Sequence, residues 1–320
     1  MKNSICDVDG IQVGHAQNLE AGTGCTVVIA QKGAIAGVDV RGGAPGTRET
    51  DLLDPVNLVQ KVHAIYLGGG SAFGLDGAAG VMQYLEEQSI GLDAGNVKVP
   101  IVSGGVIFDL VIGNASVRPD KNMGYQACLD SINSKHNTVE GCIGAGTGAT
   151  VGKYFGISRC MKGGIGTASL KIDELIIGAL VVVNAFGDII NPQTNEILAG
   201  TLNEEKNKCI NTDSLLINST IIQNNSFFKN TVLGVVATNA DLSKSEAKRL
   251  SISAHDGFAR CISPSHTLYD GDTIFSLATG KVKTDSTILN ALSAQVISIA
   301  IQRAVLQATT MFGILSNKDL

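Results

Sequence analysis

No tryptophan occurs among these 320 residues, and all aromatics together make up only 4% of them. A core of this length must therefore be filled by aliphatic and small side chains, a composition that suits sheet strands more than aromatic-rich packing. Proline is also scarce, at six residues against 38 glycines, which favours a sheet-rich globule with tight turns over an extended or disordered chain. Neither sign of charge dominates: 24 Lys and Arg oppose 29 Asp and Glu, and no basic block is present. A nucleic-acid partner has little electrostatic support. Five histidines (His15, His63, His136, His255 and His266) show neither HxH nor HxxxH spacing, so zinc catalysis is not indicated and no metal or cofactor is expected. The seven cysteines form an odd set without a CxxC, and read as small buried thiols of a reducing compartment. The opening "MKNSICDVDG" lacks the apolar stretch of a signal peptide, and no apolar run reaches membrane-spanning length. The expectation is a cytoplasmic protein without a membrane partner.

What is present is a chain with 44% hydrophobic residues, long enough for one large or two ordinary domains. "IQVGHA", "CTVVIAQKG" and "AIAGVDVRGG" read as strands separated by glycine turns. "HAIYLGGGSAFGLDGAAGVMQYLEEQ" reads as strand, turn and helix, with Leu75, Ala78, Ala79, Met82 and Leu85 at helical spacing. "VPIVSGGVIFDLVIGN", "ELIIGALVVVNAFGDI" and "DTIFSLATG" are further strand regions. Ser243-Lys244-Ser245-Glu246 is a capping box opening a helix that carries Leu250, Ala254, Phe258 and Cys261 along one face. Residues 285–312 read as a long apolar helix. Strands and helices mix throughout, which predicts an α/β class.

Two glycine loops invite a nucleotide reading and fail it. "YLGGGSAFG" places its glycines one residue off the dinucleotide fingerprint and is read as a tight turn. "GATVGKYFG" has Tyr154 where a phosphate loop needs a Ser or Thr after Gly152-Lys153.

The most unusual junction is "FFKNTVLGVVATNA", residues 227–240. Before it lies a polar stretch in which nine asparagines fall between Asn191 and Asn230. After it comes Val232-Leu233-Gly234-Val235-Val236-Ala237, an apolar run fit for a buried strand. Residues 191–230 are expected to be a linker outside the core. The strand at 231 needs the preceding sheet for its pairing, so residues 1–320 are read as one domain in two segments, 1–230 and 231–320. A threonine at a strand start is ordinarily just a β-former. It becomes a nucleophile if the Asn230–Thr231 bond is cut, because the freed α-amine, with a pKa of about 7.7–8.0, is a base beside its own hydroxyl.

Five segments carry a resemblance: "VDGIQVGHAQNLEAGTGCTVVI", "GVDVRGGAPGTRETDLL", "AIYLGGGSAFGLDGAAGVMQYLEE", "VPIVSGGVIFDL" and "NTVLGVVATNADLSKSEAKRL". From about residue 5 to its end the chain resembles the L-aminopeptidase/D-esterase (DmpA-like) family, which includes β-peptidyl aminopeptidases and nylon-oligomer hydrolases. The resemblance implies a four-layer αββα sandwich of N-terminal-nucleophile type, self-cleavage between Asn230 and Thr231, and assembly into homotetramers or larger rings. In "HTLYDGDTIF", Asp270 and Asp272 match the Asp-Gly-Asp of the nylon-oligomer branch. Two residues apart in an extended segment, they share a face and can divide acid and base roles; an Asp-Gly hairpin turn is the plainer alternative. Lys153, by its neighbours a snorkelling surface residue, matches that branch's catalytic lysine. Asn184, at the end of an apolar strand, resembles the family's oxyanion donor. The departure is Phe108, where the aminopeptidases carry an active-site tyrosine; its apolar face suits a methylene chain in a substrate pocket. Arg41, Arg48 and Glu49 are read as loop-fixing ion pairs.

The reading that results is a Thr231 amide hydrolase for small peptides or linear oligoamides, with internal amides such as those of 6-aminohexanoate oligomers cut at least as well as N-terminal residues. A charged Lys153 should disfavour a substrate ammonium close by. The alternatives are an aminopeptidase on short L-, D- or β-peptides and an acyl transferase like the self-processing ornithine acetyltransferases.

Overall fold

The apolar run after Asn230 forms a strand from Thr231 to Ala240 that is buried at every position. Its alternation divides two cores. Val232 and Val236 face one, while Leu233, Val235 and Ala237 face the other. Each of these Val and Leu side chains contributes about 1.5–3 kcal/mol by leaving water. The computed structural model describes residues 1–133, 139–218 and 230–320.

The principal elements are strands β1 (Ile11–Asn18), β2 (Thr23–Val40) and β3 (Lys61–Gly68), helix α1 (Gly77–Glu87), strand β4 (Val102–Val106) and helix α2 (Lys121–Asn133). They are followed by β5 (Gly164–Ile172), β6 (Leu175–Asn184), β7 (Thr231–Ala240), α3 (Lys244–Cys261), β8 (Thr273–Val282) and α4 (Ser286–Leu306). Among the described residues the strands join in the order β5-β6-β7-β8-β2-β3-β4, with β1 on β2. Strand β2 belongs to both halves of this network. Its first part pairs with β1 and β3, its last part pairs with β8, and the register with β3 shifts between Ile29 and Ala34.

Three cores separate four layers. The first lies between helices α3 and α4 and the outer faces of β6, β7 and β8, and includes Val181, Val183, Phe258 and Ile297. The second lies between the two halves of the sheet and joins Leu180, Val182, Leu233 and Phe275 to Val13, Val28, Ile65 and Leu67. The third covers Val27, Ile29, Ala64 and Tyr66 with α1 and α2. This is the αββα sandwich that the resemblance implied.

Several elements differ from their sequence expectation. On α1 the buried face is Gly77, Ala78, Gly80, Val81, Tyr84 and Leu85, while Ala79 and Met82 are only half-buried. The helices α1 and α2 touch through glycine: a Cβ on Gly80 would stand 1.8 Å from the Lys121 carbonyl oxygen. Counting apolar side chains misses such a face. The capping box at Ser243 forms as expected, and Leu250, Ala254, Phe258 and Cys261 are all buried. Helix α4 stops at Leu306 instead of reaching 312. With 21 residues and mean hydropathy 1.4 it is long and apolar enough to cross a membrane, contrary to expectation, but here it packs on β5, β6 and α3. All seven cysteines are free thiols.

The expected linker is ordered over its first part. Leu198, Ala199 and Leu202 enter the core, and a short helix spans Thr212–Ile217. The buried Asp188 carboxylate pins this segment, accepting from Thr201 N at 2.8 Å, Thr212 N at 2.7 Å and Thr212 Oγ1 at 2.8 Å. The asparagines that suggested a linker serve ordered turns and caps. Asn191 accepts from Gln193 N at 2.9 Å, and Asn211 caps the short helix through Ser214 N at 2.8 Å. Residues 219–229 of the expected linker lie outside the described residues.

Candidate active site

Register brings the sequence-predicted residues together. Antiparallel pairing of β6 with β7 sets Asn184 opposite Thr231. Just before β7, Asn230 bridges in parallel to Asp270, so the segment Asp270-Gly271-Asp272 runs beside the junction. Asn230 and Thr231 are both buried, at 3% and 4% exposure.

The Asn230 carbonyl oxygen is held by two donors: the Thr231 hydroxyl and, at 3.1 Å, the Gly271 N–H. Glycine is required at 271, because a Cβ would stand 2.6 Å from Thr231 Oγ1 and 2.8 Å from the Ala44 carbonyl oxygen. The loop Arg41–Ala44 clamps this segment from outside. Arg41 N and Gly42 N donate to the Asp272 carbonyl at 3.0 and 3.3 Å, and Ala44 N donates to the Asp270 carbonyl at 2.9 Å.

The two aspartates are engaged differently. Asp272 Oδ1 accepts from Val232 N at 2.9 Å, one residue past the threonine. Its Oδ2 accepts from His266 N at 3.1 Å and His266 Nδ1 at 2.8 Å. Asp270 Oδ2 accepts from Thr267 N at 3.0 Å and from the Thr267 hydroxyl, while Oδ1 takes a weak 3.4 Å bond from Phe186 N. Burial, and then the charge of Asp272, push the Asp270 carboxyl up to about 6.

Lys153 does not snorkel. Gly152 takes φ +68°, where a Cβ would meet Gly200 backbone at 1.9 Å, and this turn sends the lysine inward. Lys153 Nζ donates to Asn184 Oδ1 at 2.7 Å and to the Asn184 carbonyl at 3.2 Å. Burial disfavours its charge and lowers its pKa to about 7. Asn184 Oδ1 also accepts from Thr150 N at 3.0 Å, and Asn184 Nδ2 donates to the Phe108 carbonyl at 3.2 Å. These partners fix which way the amide faces. Phe108 thus meets the site through its backbone; its ring is half-buried.

The glycine turn after β3 holds a carboxylate instead of a phosphate. Asp109 accepts from Gly70 N at 2.6 Å and Thr23 Oγ1 at 2.7 Å, and burial raises its pKa. Of the expected ion pairs, Arg41 meets Asp39 at 2.8 Å. Arg48 instead donates to Met82 Sδ at 3.1 Å, and neither Arg48 nor Glu49 enters an ion pair among the described residues. Sequence reasoning missed His266, Thr267 and the Gly271 N–H. All three lie within "HTLYDGDTIF", yet nothing in the spacing says that a histidine six residues upstream folds back onto Asp272. Among the described residues no group of three or more His, Cys, Asp or Glu is placed to hold a metal ion.

Residues 3–318 match the model of peptidase family S58. The chain belongs to that family. Within S58 it is similar to a protein of Mycobacterium tuberculosis named an uncharacterized aminopeptidase, at 40% identity across 99% of this chain and 98% of the relative. It is also similar, at 28% identity across 93% of this chain and 84% of the relative, to the 6-aminohexanoate-oligomer endohydrolase of Paenarthrobacter ureafaciens. Its fold matches the L-aminopeptidase D-Ala-esterase/amidase of Ochrobactrum anthropi, described as a variant of the Ntn hydrolase fold, with TM-score 0.74 at 17% identity over 98% of this chain and 88% of that one. This S58 chain is an amide-bond hydrolase.

Proposed function

We propose that the protein cuts itself between Asn230 and Thr231, and that the freed Thr231 then hydrolyses amide bonds in short peptides and peptide-like linear oligoamides. The observation that carries this reading is the Asn230 carbonyl, met by the Thr231 hydroxyl on one side and the Gly271 N–H on the other. In the cutting step Thr231 Oγ1 bonds to the Asn230 carbonyl carbon while that carbon's bond to Thr231 N breaks. The hydroxyl proton ends on the departing nitrogen. Gly271 N–H steadies the negative oxygen formed on the way. Water then opens the resulting ester, leaving an Asn230 carboxylate and a Thr231 with free hydroxyl and amine.

In turnover the α-amine of Thr231 accepts the hydroxyl proton as Oγ1 attacks the substrate carbonyl, and the leaving amine takes that proton as it departs. Water resolves the acyl-enzyme. Lys153 holds the Asn184 amide across from the nucleophile, where the Asn184 N–H is the donor for the substrate oxyanion, and Asp272 orients the backbone that carries the nucleophile through Val232 N.

Release of N-terminal residues is the favoured substrate use. Lys153 does not bar a substrate ammonium as expected, because burial holds its pKa to about 7 and so leaves much of it uncharged near neutrality. Relatives at 40% identity carrying the name aminopeptidase also support this use. A second reading, cleavage of internal amides, is favoured by the Asp270-Gly271-Asp272 and Lys153 set that resembles the nylon-oligomer branch. Intact mass of freshly purified protein tests the cut, and a panel of N-capped and uncapped oligoamides tests the substrate. Cleavage of uncapped oligomers only is the expected result; equal cleavage of capped ones selects the second reading. An uncut chain with full amide turnover would remove Thr231 from the mechanism.

A further inference from the structure

We infer that His266 is a positioning residue for Asp272, holding that carboxylate so that its other oxygen meets the backbone next to Thr231. The inference rests on the proposed role of Thr231 and adds a residue to it. Both donors of His266 reach one atom: its backbone N–H at 3.1 Å and its Nδ1 at 2.8 Å from Asp272 Oδ2. A carboxylate gripped twice on one oxygen cannot turn freely, and Oδ1 is thereby fixed at 2.9 Å from Val232 N. The inference puts the proton on Nδ1, with Asp272 Oδ2 accepting it.

Three features indicate that this grip is what the residue is for. His266 sits at φ 55°, a left-handed conformation uncommon outside glycine, and there its ring and its own N–H point to the same oxygen. Its Nε2 is buried with no hydrogen-bond partner among the described residues, so among these the ring's polar contact is the one to Asp272. The ring is also clamped from α3, with its centroid 4.8 Å from that of His255 and 5.9 Å from that of Phe258. His255 is itself tied down, its Nε2 lying 3.1 Å from the Asp39 carbonyl and 3.7 Å from the Asp39 carboxylate that Arg41 pairs. Burial lowers the His255 pKa to about 4, so the ring beside His266 is uncharged near neutrality.

The test contrasts His266→Asn with His266→Gln. Asparagine tolerates the left-handed backbone and can place an amide N–H where Nδ1 stood; glutamine carries its amide one carbon further out. The expected result is that Gln lowers both the maturation rate and kcat about 10-fold with KM unchanged, and that Asn stays within about 3-fold of wild type. His266→Gly, free of backbone strain, should lose as much as Gln. In side-chain ¹⁵N spectra of the wild-type protein, His266 should show a protonated Nδ1 whose proton shifts in Asp272→Asn. Equal losses in Asn and Gln, wild-type kcat in both Gln and Gly, or an unprotonated Nδ1 would each overturn the inference. Failure of the Thr231 reading looks different: the wild-type chain then stays uncut, while the ¹⁵N spectrum and the Asn–Gln contrast in amide turnover still report on His266.

Discussion

Asn184 stands directly across from Thr231 on the neighbouring antiparallel strand, and its side-chain oxygen is held by Lys153 at 2.7 Å. The strand pair therefore sets the amide across from the threonine, and the left-handed turn at Gly152 brings the buried amine to that amide. Because Lys153 donates to both the side-chain and the backbone oxygen of Asn184, its protonation state and the orientation of the amide are linked.

Lys153→Met should make this linkage visible in stability. Burial lowers the folded pKa to about 7, while an unfolded lysine titrates near 10.4, so between these values the unfolded state binds the extra proton. Wild-type stability should rise with pH across that window, by on the order of a few kcal/mol, and the Met variant should lack the rise. Urea unfolding at pH 7 and pH 9.5 measures it. Turnover of the Met variant should fall by at least about 10²-fold at either pH.

Asp270→Asn probes the opposite sign. Its folded pKa of about 6 lies above the unfolded value, so the protonated folded form contributes stability that is fully present below about pH 4 and is lost as pH rises through 6. The Asn variant should lose that dependence and match or exceed wild-type stability at pH 7–8, while maturing more slowly. Thermal unfolding from pH 4 to pH 8, beside a time course of intact mass, checks both expectations.

Gly271→Ala places a methyl group 2.6 Å from Thr231 Oγ1, closer than real Cβ contacts come. Maturation should slow by about 10² or more; circular dichroism should stay native, with the second clash, 2.8 Å from the Ala44 carbonyl oxygen, taken up by a shift of the 41–45 loop. Asn184→Ala should lower kcat by about 10²–10³ with little change in KM, if its amide acts only on the developing oxyanion. Steady-state kinetics on matured protein separates the two parameters.

Asp188→Ala should loosen the segment before the junction. It leaves Thr201 N and Thr212 N without their acceptor, while the Thr212 hydroxyl keeps Thr201 Oγ1 at 2.8 Å, a loss of about 2 kcal/mol at roughly 1 kcal/mol each. The thermal midpoint should drop by several degrees, and limited proteolysis should enter between residues 200 and 218 sooner than in wild type.

Local pattern determined a good deal by itself. The alternation of Val232 to Ala237, the capping box at Ser243 and the strand ending in Asn184 each depend on near neighbours, and each was readable from the chain. The site residues Lys153, Asn184, Thr231, Asp270 and Asp272 were reached through resemblance, since their spacing along the chain encodes no contact. What only the tertiary structure decided is how they meet. The β6–β7 register sets Asn184 against Thr231, and the left-handed turn at Gly152 makes Lys153 a buried amine instead of a surface cation. The Asn-rich segment misled for a related reason: asparagine favours turns and caps in an ordered chain as much as in a loose one, and the difference lay in the buried carboxylate of Asp188, which waits outside the segment itself. His266 was invisible for the same cause, because a hydrogen bond made by folding back six residues leaves no periodic trace in sequence.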